Sequence, residues 1–395
     1  MNTERPSIHI GVNALFLIPG EVGGSETYLC KTLDAIGRNH HDVKITLFTN
    51  LENHSLLNSL FSRYTQINFY RLNFNASNRF VRILREQFEL PFKVKQAGID
   101  VLWSPGYTAP AVVHCPQAVT ILDMQYKWYP EDLTWLSRIT TDLLLKIAGF
   151  RAQRFLTISE FSKSEIIHFV NIPKEKIHVT YLAADDFGQG NLTKVEVSKT
   201  VSKWIPNNKK YLLTIANSYP HKNLHSLIDA FGKIINQIPH QLVIVGKPRL
   251  GEKLVKKNLA NLSEPNRVIR ISGLNRKELI ALYKGADLFV FPSLYEGFGL
   301  PVLEAMMCKV PVVTTTKASI PEVGGDFVVY VHEPSPRSLA DTILDVLAWH
   351  LNKRSDFTNK AKRWAERFSW EKTASQILDA LILTAKSLKN RKIKI

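Results

Sequence analysis

The chain has 395 residues, of which 45% are hydrophobic and 22% are charged, a composition typical of globular proteins. A formal net charge of +16 favours an anionic partner such as a membrane surface, with charged faces that are only solvated as the alternative. No zinc-finger, RRM or KH pattern accompanies the basic clusters, which argues against nucleic acid. The longest apolar runs fall short of the roughly 18 residues that a membrane-spanning helix needs.

The cysteines and the N-terminal segment bear on the compartment. The three cysteines form no C-x-x-C and no paired framework, so we expect neither disulfides nor a metal site. The segment "MNTERPSIHIGVNALFLIPG" has no basic region followed by a long apolar run, so we expect no secretory signal. These patterns favour a cytoplasmic protein.

The first half of the chain alternates short β-branched runs with helical patterns. The runs that predict strands are "SIHIGVNAL", "VKITLFTN", "DVLWSP", "AVTILDM", "RFLTIS" and "IHVTYLA". Between them "SETYLCKTLDAIGRNH" and "SEFSKSEIIHFV" have helical spacing, with Ser159 or Ser162 as the candidate N-cap of the second. This alternation predicts a parallel sheet with crossover helices.

A polar stretch over residues 186–210 interrupts the alternation, and we interpret it as a linker with about one helical turn. The pattern restarts at Tyr211 with "YLLTIAN" and continues through "HQLVIVGK", "DLFVFPS", "VPVVTTT" and "FVVYVH". The predicted α/β organisation is a Rossmann-like domain over 1–185, a second over 211–370, and a C-terminal helix with a basic tail over 371–395, free to pack across the domain boundary. One large doubly wound sheet is the alternative.

The stretch "SLYEGFGLPVLEA" sets Glu296 and Glu304 around a glycine-rich bend after a buried strand. Pro301 suits the first turn of a helix, whose backbone amides would favour an anion such as phosphate. A helical separation of the two glutamates of about 12 Å exceeds the roughly 5–9.5 Å of glycosidase acid pairs. The pattern therefore favours two contacts along one elongated ligand over a hydrolytic pair.

The block "PSLYEGFGLPVLEAMMCKVPVVTTTKASIPEVGGD" resembles the C-terminal signature of the retaining family 4 glycosyltransferases, and weaker similarity covers roughly residues 10–375. The resemblance implies a GT-B fold of two Rossmann-like domains whose parallel sheets face a central cleft. It also implies metal-independent transfer of a hexose from a nucleotide sugar, with retention at the anomeric carbon. Glu296 would contact the donor sugar and phosphate, and Glu304 would bind the ribose hydroxyls. Four backbone amides would line the diphosphate, those of Gly297, Phe298, Gly299 and Leu300.

A cation is expected near the diphosphate, because a metal-free site must neutralise the leaving group in another way. By the resemblance, Lys222 in "ANSYPHKNL" has this role. The arginine that many relatives carry a few residues earlier is missing. Asn217 and Lys247 are further candidate donor contacts. Either the helix dipole makes a second cation unnecessary, or Lys247, Arg249 or Arg276 replaces the missing arginine.

The N-terminal half offers weaker candidates. Gly23 and Gly24 precede a helix, and the resemblance assigns them to a loop facing the donor phosphate or the acceptor. In "VTILDMQYKWYPE", Asp123 is a candidate for orienting the acceptor hydroxyl, although a buried or capping aspartate is the alternative. Leu122 stands where relatives often have histidine, and His114 is a candidate substitute.

These observations predict a transferase that uses a nucleotide sugar, with GDP-mannose as the first choice and a UDP-sugar as the alternative, and no separate cofactor or metal. The acceptor would be a glycan or a lipid-linked saccharide in polysaccharide or glycolipid biosynthesis. Two competing hypotheses remain: a GT-B isomerase acting on UDP-N-acetylglucosamine, and a non-catalytic nucleotide-sugar-binding relative. The basic stretch 79–95 adds a prediction of peripheral attachment to the inner face of an anionic membrane.

Overall fold

A computed structural model gives the structure of the protein over residues 8–21, 23–189, 192–206 and 209–392. Some predictions fall outside the described residues: the start of the predicted range 1–185, the end of the range 371–395, and four positions of the predicted linker.

The chain divides into two compact units. The first unit contains the residues up to Leu182 together with the C-terminal segment from Trp370, and the second unit is Ala183–Ser369. Each unit contains its own parallel sheet, so the predicted α/β class with two Rossmann-like halves is confirmed.

The first unit is built on a seven-stranded parallel sheet in the order β3-β2-β1-β4-β5-β6-β7. Its strands run nearly continuously through apolar side chains, because crossover helices cover both faces of a parallel sheet. Their bounds are β1 His9–Asn13, β2 Lys44–Thr49, β3 Ile67–Arg71, β4 Val101–Ser104, β5 Gln117–Thr120, β6 Arg154–Thr157 and β7 Ile177–Val179.

The helices of this unit include one wide turn. A π-helix at Arg85–Glu89 joins two short α-helices. Ser159 accepts a hydrogen bond of 2.9 Å from the amide of Ser162, so the first of the two predicted N-caps is correct. The α-helices are α1 Gly24–Asn39, α2 His54–Phe61, α3 Arg79–Leu84, α4 Leu90–Gln96, α5 Gln125–Trp128, α6 Trp135–Arg151 and α7 Glu160–Val170.

The second unit has a six-stranded parallel sheet in the order β10-β9-β8-β11-β12-β13. A Cβ atom at Gly246 would lie 2.1 Å from the carbonyl oxygen of Ala216, so the close approach of the segments after β8 and β9 requires glycine. The strands are β8 Tyr211–Ile215, β9 Gln241–Val245, β10 Val268–Ile271, β11 Leu288–Phe291, β12 Val312–Thr315 and β13 Val329–Val331.

The first two helices of the second unit occupy much of the predicted linker. Residues 186–210 contain the end of one helix and all of a second, more helical structure than the single turn expected. The second begins with a capping box in which Thr193 and Glu196 satisfy each other's backbone amides. The helices are α8 Asp185–Gln189, α9 Lys194–Val201, α10 Leu224–Ile234, α11 Glu252–Ala260, α12 Arg276–Gly285, α13 Leu300–Met307, α14 Ile320–Gly324, α15 Pro336–Leu347 and α16 Leu351–Ala365.

The last helix, α17 Trp370–Lys392, returns to the first unit. It packs against α1 and against strands β4, β5 and β6. Its buried side chains recur at helical spacing, and they include Ala374, Ile377, Leu378 and Leu381.

Candidate functional site

The candidate site is built on loops at the carboxyl edge of the second sheet, where the ends of parallel strands meet. The His221 carbonyl, in the loop after β8, accepts hydrogen bonds from the Leu294 amide (2.7 Å) and the Ser293 hydroxyl (3.3 Å), both after β11. Thr315, at the end of β12, donates to the Ser293 carbonyl at 2.6 Å. Three loops that are distant in sequence are therefore fixed to one another.

Lys222 and Glu296 meet in this framework. The Lys222 ammonium donates to a Glu296 carboxylate oxygen at 2.7 Å, and the two side chains are only 18% and 10% exposed. The Glu296 carbonyl accepts from the Ser319 hydroxyl at 2.8 Å, which holds the loop behind the carboxylate. A pair so shielded from water is costly to break by removing one partner, because the other charge would remain buried.

The glycine-rich bend starts helix α13. Gly299 is the N-cap with φ 99°, a left-handed conformation that favours glycine, and Pro301 occupies the first turn. Phe298 is buried with its ring edge-on to Phe368 at 5.9 Å between centroids. Of the four residues predicted to line a diphosphate, Leu300 alone is partly exposed, and the other three are buried.

Glu304 lies one turn into α13 and is buried. The Tyr283 hydroxyl donates to its carboxylate at 2.7 Å and also lies 3.3 Å from the Pro301 carbonyl oxygen. Burial raises the pKa of Glu304 to about 7, although the Tyr283 hydrogen bond and the Arg276 charge oppose that rise. The carboxyl is therefore close to half-protonated at neutral pH.

Arg276 is the charged neighbour of this carboxyl. It forms an ion pair with Asp186, and its guanidinium lies 4.2 Å from the centroid of the Phe187 ring. Phe187 in turn packs edge-on against Tyr283 at 5.6 Å. Of the cations considered as replacements for the missing arginine, Arg276 therefore belongs to the surroundings of Glu304.

Asn217 and Lys247 are joined through the backbone. The Asn217 side-chain oxygen accepts from the Lys247 amide at 2.8 Å. Next to it, the Ser218 hydroxyl accepts from the Arg249 amide at 2.7 Å and donates to Glu252 at 2.9 Å. The side chains of Asn217 and Ser218 thus hold the loops after β8 and β9 together.

In the first unit, Asp123 follows the carboxyl end of β5. Its carboxylate accepts from the Tyr107 hydroxyl at 3.0 Å and from the Gln125 amide at 3.1 Å. Tyr107 has a φ of 70°, which is uncommon for an aromatic residue and is found more often near functional sites. Leu122 beside the carboxylate is buried.

His114 does not replace the missing histidine. It precedes β5, and its ring lies near the Ile99 backbone just before β4, so it belongs to the amino edge of the sheet while Asp123 follows the carboxyl edge. The prediction of a substitute was wrong because the loop after β4 crosses from one edge to the other.

Gly23 and Gly24 lie at the exposed start of α1. Gly23 has a φ of 52°, and a Cβ atom on either glycine would meet no atom within 4 Å. The Glu26 carboxylate accepts from the Gly20 amide at 2.7 Å and so closes the turn before the helix. The space around the glycines is compatible with a ligand contact, which remains a prediction.

Two family models match the two halves of the chain. "Glycosyltransferase Family 4" matches residues 22–186, and "Glycosyl transferases group 1" matches residues 199–364. The chain belongs to the family 4 glycosyltransferases.

Relatives of this glycosyltransferase include enzymes of O-antigen assembly. The chain is 34% identical over 236 residues to O-antigen chain mannosyltransferase B of Escherichia coli, covering 58% of this chain and 60% of that protein. It is 27% identical over 230 residues to O-antigen chain mannosyltransferase RfbU of Salmonella typhimurium, again covering 58% and 60%. The matched region thus spans under two thirds of each relative.

Solved structures share the fold. A glycosyltransferase from Rickettsia africae matches with a TM-score of 0.74 and 19% identity, over 97% of this chain and 100% of that one. HepE of Anabaena in complex with UDP-glucose matches with a TM-score of 0.74 and 18% identity, over 95% and 99%. Within the described part of this glycosyltransferase, no helix is both long enough and apolar enough to span a membrane.

The structure adds residues that sequence reasoning missed. Tyr283 follows Arg276 by two helical turns on α12, a spacing that puts both on one face and was a readable signal. In the first unit, Glu86 is buried on the π-helix and accepts from Asn13 at 2.7 Å and from Thr108 at 2.9 Å. Burial raises the pKa of Glu86. Its position inside a basic, helical segment gave no sign that one carboxylate would point inward.

A cavity of about 560 Å³ lies elsewhere in the second unit of the glycosyltransferase. Its lining includes Tyr211, at the start of β8, and Asp287, directly before β11. It therefore belongs to the amino edge of the sheet, away from the loop that carries Glu296. Its lining is rich in lysine and contains Lys194, Lys209, Lys210, Lys284, Lys309 and Lys362.

Proposed function

We propose that the protein is a retaining, metal-independent glycosyltransferase that transfers mannose from GDP-mannose to a glycan or lipid-linked acceptor in polysaccharide or glycolipid biosynthesis. The observation that carries this proposal is the shielded contact between Lys222 and Glu296. It brings a cation and a carboxylate together at the carboxyl edge of a Rossmann-like sheet, where such sheets bind nucleotides.

Lys222 is proposed to neutralise the leaving diphosphate. In the structure Glu296 balances its charge. When a donor binds, its diphosphate takes over that balance and leaves the Glu296 carboxylate to accept hydrogen bonds from the donor sugar. A charge interaction at ~4 Å with an effective dielectric of ~20 contributes about 4 kcal/mol, enough to change a rate by orders of magnitude.

The proposed reaction is a displacement on one face of the sugar. The bond between the anomeric carbon and the diphosphate oxygen breaks, and the acceptor oxygen bonds to the same face of that carbon. The acceptor hydroxyl gives its proton to the leaving phosphate. Asp123 of the first unit is the proposed residue for orienting that hydroxyl, while Gly23 and Gly24 are proposed as loop contacts.

Glu304 is proposed to bind the ribose of the nucleotide. Its ionised form accepts hydrogen bonds, and the two ribose hydroxyls are donors of the required kind. Tyr283 and Arg276 support this form by a hydrogen bond and by charge. The backbone from Gly297 to Leu300, with the N-terminus of α13, is proposed to receive the diphosphate. Asn217 and Lys247 are proposed as further donor contacts.

The choice of donor rests on the relatives. The names of the E. coli and Salmonella proteins support mannose as the transferred sugar. HepE was solved with UDP-glucose, which supports a UDP-sugar as the second candidate.

A donor panel tests the proposal. Purified protein would be incubated with radiolabelled GDP-mannose or UDP-glucose and with membrane glycolipid as acceptor, and the anomeric configuration of the product would be read by NMR. We expect α-linked mannose from GDP-mannose and at least a hundredfold less product from Glu296→Gln. An absence of both transfer and donor hydrolysis with every nucleotide sugar would refute the proposal.

We also propose that the enzyme works at the cytoplasmic face of a membrane, where lipid-linked acceptors are available. The support is the net charge of +16 and the basic stretch 79–95.

A further inference from the structure

The segment 79–96 exposes a row of large apolar side chains. Phe80, Leu84, Phe88 and Phe92 are spaced four residues apart along α3, the π-helix and α4, and Phe80 and Phe88 are 71% and 76% exposed. The opposite side of the segment is buried, including Leu90. Residues four apart lie on the same face of a helix, so these four side chains form one apolar ridge.

Helix α6 exposes a second row. Trp135, Ile139 and Leu143 are again four residues apart, and Trp135 is 68% exposed. Leu136 beside Trp135 is also exposed, whereas Leu144 and Leu145 face the core. A helix of an ordinary globular surface would carry polar residues at these positions.

Arg79 brings the two rows together. Its guanidinium donates to the Ser137 carbonyl at 3.1 Å and to the Thr141 hydroxyl at 2.7 Å, so the start of α3 lies against α6. Phe80 is therefore next to the helix that carries Trp135. We call the two rows together the apolar face.

Basic side chains border the apolar face. Lys95 and Lys146 are exposed on the same two segments. Of the acids on these two segments, Glu86 is buried, Glu89 pairs with Arg85 at 2.5 Å and Asp142 pairs with Lys127 at 2.7 Å. Aromatic side chains with basic side chains beside them suit the interface of an anionic bilayer. There the aromatic rings enter the headgroup layer and the cations bind lipid phosphate.

We infer that the apolar face inserts into the surface of an anionic phospholipid bilayer, with Phe88 and Trp135 as its leading side chains. The inference deepens the membrane association proposed above and rests on it, but it does not depend on the sugar or the nucleotide. An apolar surface of this size that stays exposed to water is otherwise an aggregation liability. The second unit offers a matched control in Leu351, which is 77% exposed at the start of α16.

Vesicle flotation tests the inference. Full-length protein would be floated with vesicles of phosphatidylcholine alone or mixed with phosphatidylglycerol, at low and high salt. We expect flotation with the anionic vesicles only, weakened by salt but not abolished. Phe88→Glu should lower the bilayer partition coefficient about tenfold to hundredfold, and Leu351→Glu should leave it unchanged.

Each other outcome overturns the inference. Flotation of Phe88→Glu at the wild-type level would mean that charge alone binds the bilayer, and failure of the wild type would remove the bilayer as partner. A wild-type dimer that Phe88→Glu converts to a monomer without vesicles would identify a second copy of the chain as the occupant instead. Trp135 gives a second readout, because brominated lipid should quench wild-type fluorescence more than that of Trp135→Phe.

Thermal shift with GDP on the same preparations separates this inference from the proposed function. If the protein binds GDP but does not float, only the inference about the apolar face is contradicted. If the protein floats but does not bind GDP, only the proposed nucleotide-sugar chemistry is contradicted.

Discussion

The Tyr283 hydroxyl donates a 2.7 Å hydrogen bond to the Glu304 carboxylate, and the two side chains come from helices α12 and α13. Both groups are buried, and the pKa of Glu304 is raised to about 7 by that burial. The proposed ribose contact is thus a carboxyl whose charge changes near neutral pH.

Nucleotide affinity should fall as the pH drops below about 7, because the ribose hydroxyls would bind the ionised form of Glu304. We expect the apparent dissociation constant for GDP to rise about tenfold per pH unit in this range. Isothermal titration calorimetry between pH 5 and 8 measures it. Glu304→Gln should bind more weakly at pH 8 and show a flat profile, and a wild-type profile equally flat would contradict the assignment.

Tyr283→Phe should move that profile to higher pH. The lost hydrogen bond favours the ionised carboxylate, so its removal raises the pKa of Glu304 further. We expect the midpoint of GDP binding to shift upward by up to about one pH unit, with affinity at high pH largely retained. A uniform loss of affinity at every pH would instead indicate a purely structural role for Tyr283.

Glu304 should also make the stability depend on pH. Its pKa is about 7 in the folded chain against a reference value of 4.5, so the folded state binds the proton more tightly. The contribution of this proton to the free energy of unfolding is fully present below pH 4.5. It is lost as the pH rises from 4.5 to about 7, and the loss is roughly 3 kcal/mol at most. Denaturant unfolding should therefore show that the wild type loses stability relative to Glu304→Gln as the pH rises.

The ion pair at the proposed catalytic centre should behave as a unit. Lys222→Ala should lower kcat/KM about a hundredfold to a thousandfold, since it removes charge stabilisation of the leaving group. The double variant Lys222→Ala, Glu296→Gln should have a kcat/KM no lower than that of the less active single variant. The effects of substitutions at residues in contact are not additive. Lys309→Ala, an exposed lysine at the opposite edge of the sheet, is the matched control and should retain activity. Additive losses would argue against a shared role.

Gly246→Ala should destabilise the second unit. The added methyl group would lie 2.1 Å from the Ala216 carbonyl oxygen, which belongs to the backbone and cannot turn away. We expect a loss of about 1–3 kcal/mol of unfolding free energy, seen as a lower melting temperature. Gly24→Ala has open space around its Cβ atom and should show no such loss. Equal melting temperatures for the two variants would rule out the steric requirement.

Much of the fold could be read from the sequence because its strands are strongly patterned. Strands such as Leu288–Phe291 and Gln241–Val245 are buried along their whole length, which gives compact apolar runs between turn residues. The helices between residues 186 and 210 were underestimated because their stability comes from a capping box and tertiary packing, while their composition is polar.

The candidate site divides in the same way. Lys222 and Glu296 lie in motifs next to strand ends, and the parallel sheet brings such ends together, so their proximity could be anticipated. Asp186 and Glu86 could not be assigned, because their importance depends on which face of a helix is covered and by what. The prediction for His114 was wrong for a related reason: the residues of a loop do not show which edge of the sheet each of them will reach.

The return of α17 to the first unit means that the polypeptide passes twice between the units, at Leu182 and at Ser369. A single proteolytic nick in either connection would therefore leave two fragments that still share a folded unit. Expressing the N-terminal half alone, without residues from Trp370 onward, would strip a helix from α1 and from three central strands. The better way to isolate the first unit is a circular permutant in which α17 is fused ahead of β1.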